Sequence, residues 1–253
     1  MTLGLPLSTM YAFLLVLARV GGLLAFLPIP GFRNAPQMIR AMLAAAIAIA
    51  LFPVWPNLPN VSPSIGQLTA WAFSEAGFGL AVGVAAAFLA EGFQIGTQVL
   101  AMQAGYGYAS TIDPSSQADS SVLQVITMLM TGLLFFSTGL DRELMRVLAA
   151  SFVRFPAGSW APGNLGGILH LGAGMFTLGL RVAMPVFALL LLIDIALALL
   201  GRMQQQLQLL SLAFPMKMMA ALALLAVLAP IMPKLFSGAA AKTLSAIWAM
   251  LRA

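Results

Sequence analysis

Residues 70–104, "AWAFSEAGFGLAVGVAAAFLAEGFQIGTQVLAMQA", form an apolar run longer than one straight crossing of a bilayer needs. Only Glu75 and Glu91 interrupt it as charges, and five glycines punctuate it. Read outward from this stretch, the rest of the chain has the same character. The 253 residues are 61% hydrophobic and 8% charged, with a mean hydropathy of +1.00. Soluble domains carry roughly 25% charged residues. The shortfall, with repeated apolar stretches of membrane-spanning length, points to an all-α polytopic membrane protein rather than a soluble core. The 70–104 run itself reads either as two short segments or as one long bent helix.

Prolines and glycines divide the remainder. A first helix is expected from about Met10 to Leu27, ended by Pro28-Ile29-Pro30-Gly31. A second is expected from about Gln37, after Pro36, to Phe52, before Pro53 and Pro56. The loop "PVWPNLPNVSPSIGQ" (53–67) holds no charge and four prolines. Beyond the long run lies "GYGYASTIDPSSQADSS" (105–121), then a helix over roughly 122–140. Asp141–Phe155 reads as a short amphipathic helix, with Leu144, Val147, Leu148 and Phe155 on one face and Arg142 and Arg146 opposite. Spans follow over about 171–200, with a kink expected at Pro185, and over 216–231. The tail "KTLSAIWAMLRA" spaces Leu244, Trp248 and Leu251 as an interfacial helix would.

The net charge is +5 and the pI about 10.3. The twelve basic residues are spread along the whole chain, so they make no nucleic-acid footprint. The excess of positive charge on one side that normally orients a membrane protein is too slight here to choose a topology. The first basic residue, Arg19, lies inside the first apolar segment, so that segment is expected to be retained rather than cleaved.

No enzyme signature emerges. With one histidine, His170, and no cysteine, zinc motifs, His-based triads and thiol chemistry lack their parts. No catalytic, cofactor-binding or metal-binding residue is assigned, and no cofactor is implied. Three charges do lie within apolar helices, where desolvation is costly: Arg19, Glu91 and Asp194. They are read either as a proton or substrate path of a secondary transporter using Glu91 and Asp194, or as charges paired with groups on neighbouring helices. Glu75 and Arg181 are placed nearer helix ends. Gly77, Gly79, Gly83 and Ala87, then Gly92 and Gly96, have the spacing that lets helix backbones approach closely in lipid.

Four pieces in order resemble the FliR family, a subunit of the flagellar protein-export gate whose virulence-system counterparts are the SctT proteins. "ARVGGLLAFLPIPGFRNAPQMIRAML" is similar to its opening pattern at Arg19, Gly21, Gly22, Pro28, Gly31, Pro36 and Arg40. "EAGFGLAVG" matches at Glu75, Gly77, Gly79 and Gly83. "IGTQVLAMQAGYGYASTIDP" resembles the central signature at Gly96, Gln103, Gly105, Ala109, Asp113 and Pro114. "GRMQQQLQLLSLAFPMK" is similar to the late loop at Gln206, Phe214, Pro215 and Lys217. Gln205 departs from the usual proline there, and "STGLDREL" lacks a histidine that many members carry.

The resemblance implies a non-enzymatic channel subunit, present once in a gate with several copies of FliP and FliQ, for export of unfolded flagellar subunits. It implies a location in the bacterial inner membrane at the flagellar basal body, and contacts with FlhB and FlhA. It divides the chain into a FliP-like helical part, 1–166, and a FliQ-like helical hairpin with an amphipathic tail, 167–253. Residues 105–116 would form a plug that closes the channel, drawn from Gly105, Tyr106, Gly107, Tyr108, Ile112, Asp113 and Pro114. Glycine supplies backbone freedom and the aromatic and aliphatic side chains supply bulk without charge until Asp113. Arg202, Gln204, Gln206, Phe214, Pro215 and Lys217 would form the partner-contact loop facing FlhB.

Overall fold

A computed structural model describes residues 6–32, 35–58, 63–106, 122–160, 166–203 and 209–252. Those residues form eight α-helices and no strand. Helix α1, Leu7–Phe26, begins directly after Pro6, whose carbonyl accepts from Thr9 N at 2.9 Å. It stops before the two prolines that the sequence marks as its end. Helix α2, Gln37–Ala50, follows Pro36 and runs into a 3-10 turn, Phe52–Val54, built on Pro53. The Trp55 indole N–H then donates to Ala48 O at 2.8 Å and folds the proline-rich loop back onto α2.

Helix α3, Ile65–Ala104, is one 40-residue helix, which resolves the two readings of the long run. At ~1.5 Å per residue it extends about 60 Å, twice a hydrocarbon core of ~30 Å. It also starts earlier than its apolar pattern. Gln67 N donates to Ser64 Oγ (3.3 Å) and Ser64 N donates to Gln67 Oε1 (3.1 Å), a reciprocal capping box that sets the first turn.

Helices α4, Val122–Ser137, and α5, Leu140–Arg154, are bent by 59° where Gly139 takes a left-handed φ of 72°. In α5 the residues Leu140, Leu144, Val147, Leu148, Ser151 and Phe152 are buried, while Arg142 and Arg146 are exposed. The amphipathic pattern is therefore real, and its apolar face is covered by protein. Helix α6, Gly166–Met203, continues through Pro185 without interruption. Helix α7, Leu209–Leu228, is joined by a 3-10 turn, Ala229–Ile231, to α8, Met232–Arg252. In the last part of α8, from Lys242 on, the covered residues are Thr243, Ile247, Met250 and Leu251; Leu244 and Trp248 are only half-buried.

Among the described residues, four stretches are long and apolar enough to cross a membrane: Leu7–Phe26, Ile65–Ala104, Gly166–Arg202 and Ala213–Arg252. Counting the bent α4–α5 pair as one span gives five. The protein is thus an all-α polytopic membrane protein.

The chain divides into two compact units that interleave along the sequence. The first comprises Met1–Phe88, Phe135–Gly172 and Ala240–Ala253. In it α1 and α3 touch backbone to backbone: a Cβ on Gly22 would lie 2.5 Å from Ala76 O, and one on Gly83 would lie 2.6 Å from Leu23 O. The second comprises Leu89–Leu134 and Ala173–Ala239. There Gly96 faces Gly179, whose carbonyl oxygen would lie 2.7 Å from an added Cβ. The glycine spacing read from the sequence therefore marks close approach in each unit, where packing replaces the hydrophobic drive of water. The second unit's core is Leu100, Ala101, Ala104, Leu123, Ala183, Val186, Leu190, Ala221 and Leu225.

Candidate functional site

The end of α3 is where the central loop begins, and its geometry follows from one glycine. Gly105 has φ +87°, Gly105 N donates to Met102 O (3.2 Å) and Tyr106 N donates to Ala101 O (3.0 Å). This paired closure is a Schellman motif, in which a left-handed residue satisfies the last helical carbonyls. Gly105 is required a second time by its neighbour. A Cβ there would lie 2.6 Å from Cδ1 of Phe214, so the ring of α7 sits directly on the glycine.

Tyr106, the last described residue before the loop, packs against the second unit's core. Its hydroxyl donates to Met218 O of α7 at 3.0 Å. One turn back, Gln103 Nε2 donates to Asp194 Oδ2 of α6 at 3.2 Å. The other Asp194 oxygen forms an ion pair with Lys217 of α7. The root of the loop is thus tied to α7 by a ring contact and a hydrogen bond, and to α6 and α7 through one shared carboxylate. Asp194 is shared between Gln103 and Lys217. Glu91, half-buried on α3, is not a free charge either.

A second polar centre lies in the first unit. Arg19 of α1 is fully buried and its Nε forms an ion pair with Glu75 Oε2 of α3. Its Nη1 donates to Ser151 Oγ of α5 at 2.7 Å. Its Nη2 donates to Phe155 O at 3.5 Å. The other Glu75 oxygen accepts from Gly158 N at 3.0 Å. The guanidinium carbon lies 4.2 Å from the Phe152 ring centre and 4.9 Å from that of Phe78, so aromatic faces close the remaining space. Both carboxylate oxygens of Glu75 are engaged. This centre fastens α1, α3, α5 and the turn at 155–158 together.

These features coincide with similarity to known proteins. Residues 10–243 match the family described as Bacterial export proteins, family 1. The Flagellar biosynthetic protein FliR of Escherichia coli is 30% identical over 229 residues, covering 89% of this chain and 87% of that protein. The chain belongs to the FliR family. The Caulobacter vibrioides FliR is 27% identical, covering 85% of this chain and 87% of that protein. The Bacillus subtilis FliR is 28% identical, covering 81% of each. The family match spans both polar centres and the loop root.

Of the residues expected to form the plug of a FliR protein, Gly105 and Tyr106 stand at the loop root. Gly107, Tyr108, Ile112, Asp113 and Pro114 lie outside the described residues. In the late loop, Arg202 is exposed near the end of α6, Phe214, Pro215 and Lys217 lie in α7, and Gln204 and Gln206 lie outside the described residues. The central signature and the late-loop motif therefore meet through Gly105–Phe214, and Tyr106 bonds Met218, the residue directly after that motif. Sequence reasoning placed Glu75 near a helix end and missed its role. It sits about three turns inside α3 and is 1% exposed, because the capping box at Ser64 starts the helix before the apolar pattern does.

Proposed function

We propose that this chain is a non-enzymatic wall and stopper of the flagellar export gate in the bacterial inner membrane, assembled with FliP and FliQ. Unfolded export substrates pass through the shared channel, and FlhB and FlhA act at its cytoplasmic side. Residues 1–166 would be the FliP-like part and 167–253 the FliQ-like hairpin. The observation that carries this reading is the root of the central loop. Gly105 and Tyr106 anchor to α7 a loop whose sequence carries two tyrosines and no charge before Asp113. A stopper must be held at its base while its tip moves, and the loop root supplies such a base.

Deleting Gly105–Ile112 is expected to make the assembled gate leak small ions in planar-bilayer recordings. Baseline conductance in a deletion complex of normal composition would sink the proposal. The glutamine-rich late loop is expected to face FlhB. Photo-crosslinkers at Gln204 or Gln206 should capture FlhB in motile cells, and failure at both positions would remove that contact.

A further inference from the structure

An apolar groove of about 460 Å³ opens in the first unit where three helix ends meet. Leu27 at the end of α1, Leu43 and Ile47 of α2, Phe136 of α4 and Met145 of α5 line it. Its lining is almost wholly hydrocarbon, apart from Asp141 and Arg142 at the start of α5. Asp141 Oδ1 is buried and has no hydrogen-bond partner among the described residues. Arg142 beside it is exposed. A buried oxygen without a donor is costly, and cost of this kind marks a place where a donor is missing.

We propose that the groove binds one phospholipid with a primary ammonium headgroup. An acyl chain fills the hydrocarbon lining, the ammonium donates to Asp141 Oδ1, and the phosphate pairs with Arg142. Three observations select this occupant. First, the carboxylate and guanidinium are adjacent in sequence and line one groove, so their charges complement a zwitterion and not a single charge. Second, α1 is a candidate span and Leu24 and Leu27 at its end line the groove, and the end of a span is where headgroups lie. Third, a neighbouring apolar helix would arrive with its backbone N–H groups already bonded, leaving Oδ1 unsatisfied. Phosphatidylglycerol can donate from its headgroup hydroxyls, but it brings no cation and its net negative charge is repelled by Asp141.

The test is native mass spectrometry of the full-length chain in mild detergent, titrated with dioleoyl phosphatidylethanolamine, phosphatidylcholine or phosphatidylglycerol. One phosphatidylethanolamine should bind about tenfold more tightly than phosphatidylcholine, whose quaternary ammonium has no N–H to donate. Asp141→Asn should narrow the preference for phosphatidylethanolamine, because an amide oxygen accepts from an ammonium more weakly than a carboxylate does, and should weaken phosphatidylcholine less. Leu43→Trp, which fills the groove, should weaken both. Equal binding of the two zwitterionic lipids to the unaltered chain would overturn the proposal, as would undiminished preference in Asp141→Asn. A photo-reactive residue at Met145 provides an arm that needs no purified variant: capture of phospholipid in cells supports the site, and capture of a protein chain overturns it.

Discussion

Replacing Glu75 with alanine is expected to destabilise the full-length protein by about 3–5 kcal/mol, because it strands Arg19 without its counter-ion in a site closed to solvent. The arginine cannot turn away to find water. Its Nη atoms are held by Ser151 and Phe155 O, and the rings of Phe152 and Phe78 lie against the guanidinium. The same change leaves Gly158 N without the acceptor that Glu75 Oε1 provides. Removing both charges together has a different expected result. An Arg19→Met, Glu75→Leu double variant takes away the desolvation cost along with the attraction, and such exchanges are often neutral. It should recover most of the lost stability while leaving Ser151 bonded to Leu148 O. Unfolding of the purified chain by titrated detergent denaturant would give all three values. A Glu75→Ala variant within about 1 kcal/mol of the unaltered chain would mean that the pair adds little to holding α1, α3 and α5 together.

The contrast between Arg19 and Glu75 explains what was legible in the sequence and what was not. A charge inside "FLLVLARVGGLL" stands out against its immediate neighbours, so Arg19 announces itself as a costly group needing a partner. The partner is 56 positions away, and only packing of α1 on α3 makes them neighbours. Glu75 looked unremarkable because apolar pattern alone began α3 near residue 70. The local capping chemistry of Ser64 and Gln67 extends it back to Ile65 and moves Glu75 into the interior. Gly105 shows the same division. Its need for a left-handed backbone is a local property and readable, whereas the Phe214 ring resting on it belongs to a helix more than a hundred residues later. Helix boundaries set by proline, such as those after Pro36 and before Pro28, needed no tertiary information at all. The division of the chain into two interleaved units was beyond local reading, since each unit takes segments from widely separated parts of the sequence.

The adjacent glycines 21 and 22 should respond to alanine with opposite signs. Both lie within α1, where alanine is favoured over glycine by about 1 kcal/mol. At Gly21 an added Cβ meets nothing within 4 Å, so Gly21→Ala should stabilise the isolated chain by up to about that amount. At Gly22 the added atom would lie 2.5 Å from Ala76 O and 2.9 Å from Leu80 N. Those are backbone atoms of α3, which cannot rotate aside as a side chain would. The two helices would have to separate, and overpacking of this kind costs about 1–3 kcal/mol. The upper end is expected here because separation is resisted from both sides. Gly79 and Gly83 of α3 already sit against the backbone of α1 at Arg19 and Leu23. Moving α1 outward also lengthens the Arg19–Glu75 pair one turn away, so the steric and electrostatic costs add instead of trading off. The same detergent titration would report both variants. Equal effects at the two positions would show that α1 and α3 are not in backbone contact, and the close approach that buries Arg19 would fall with that result.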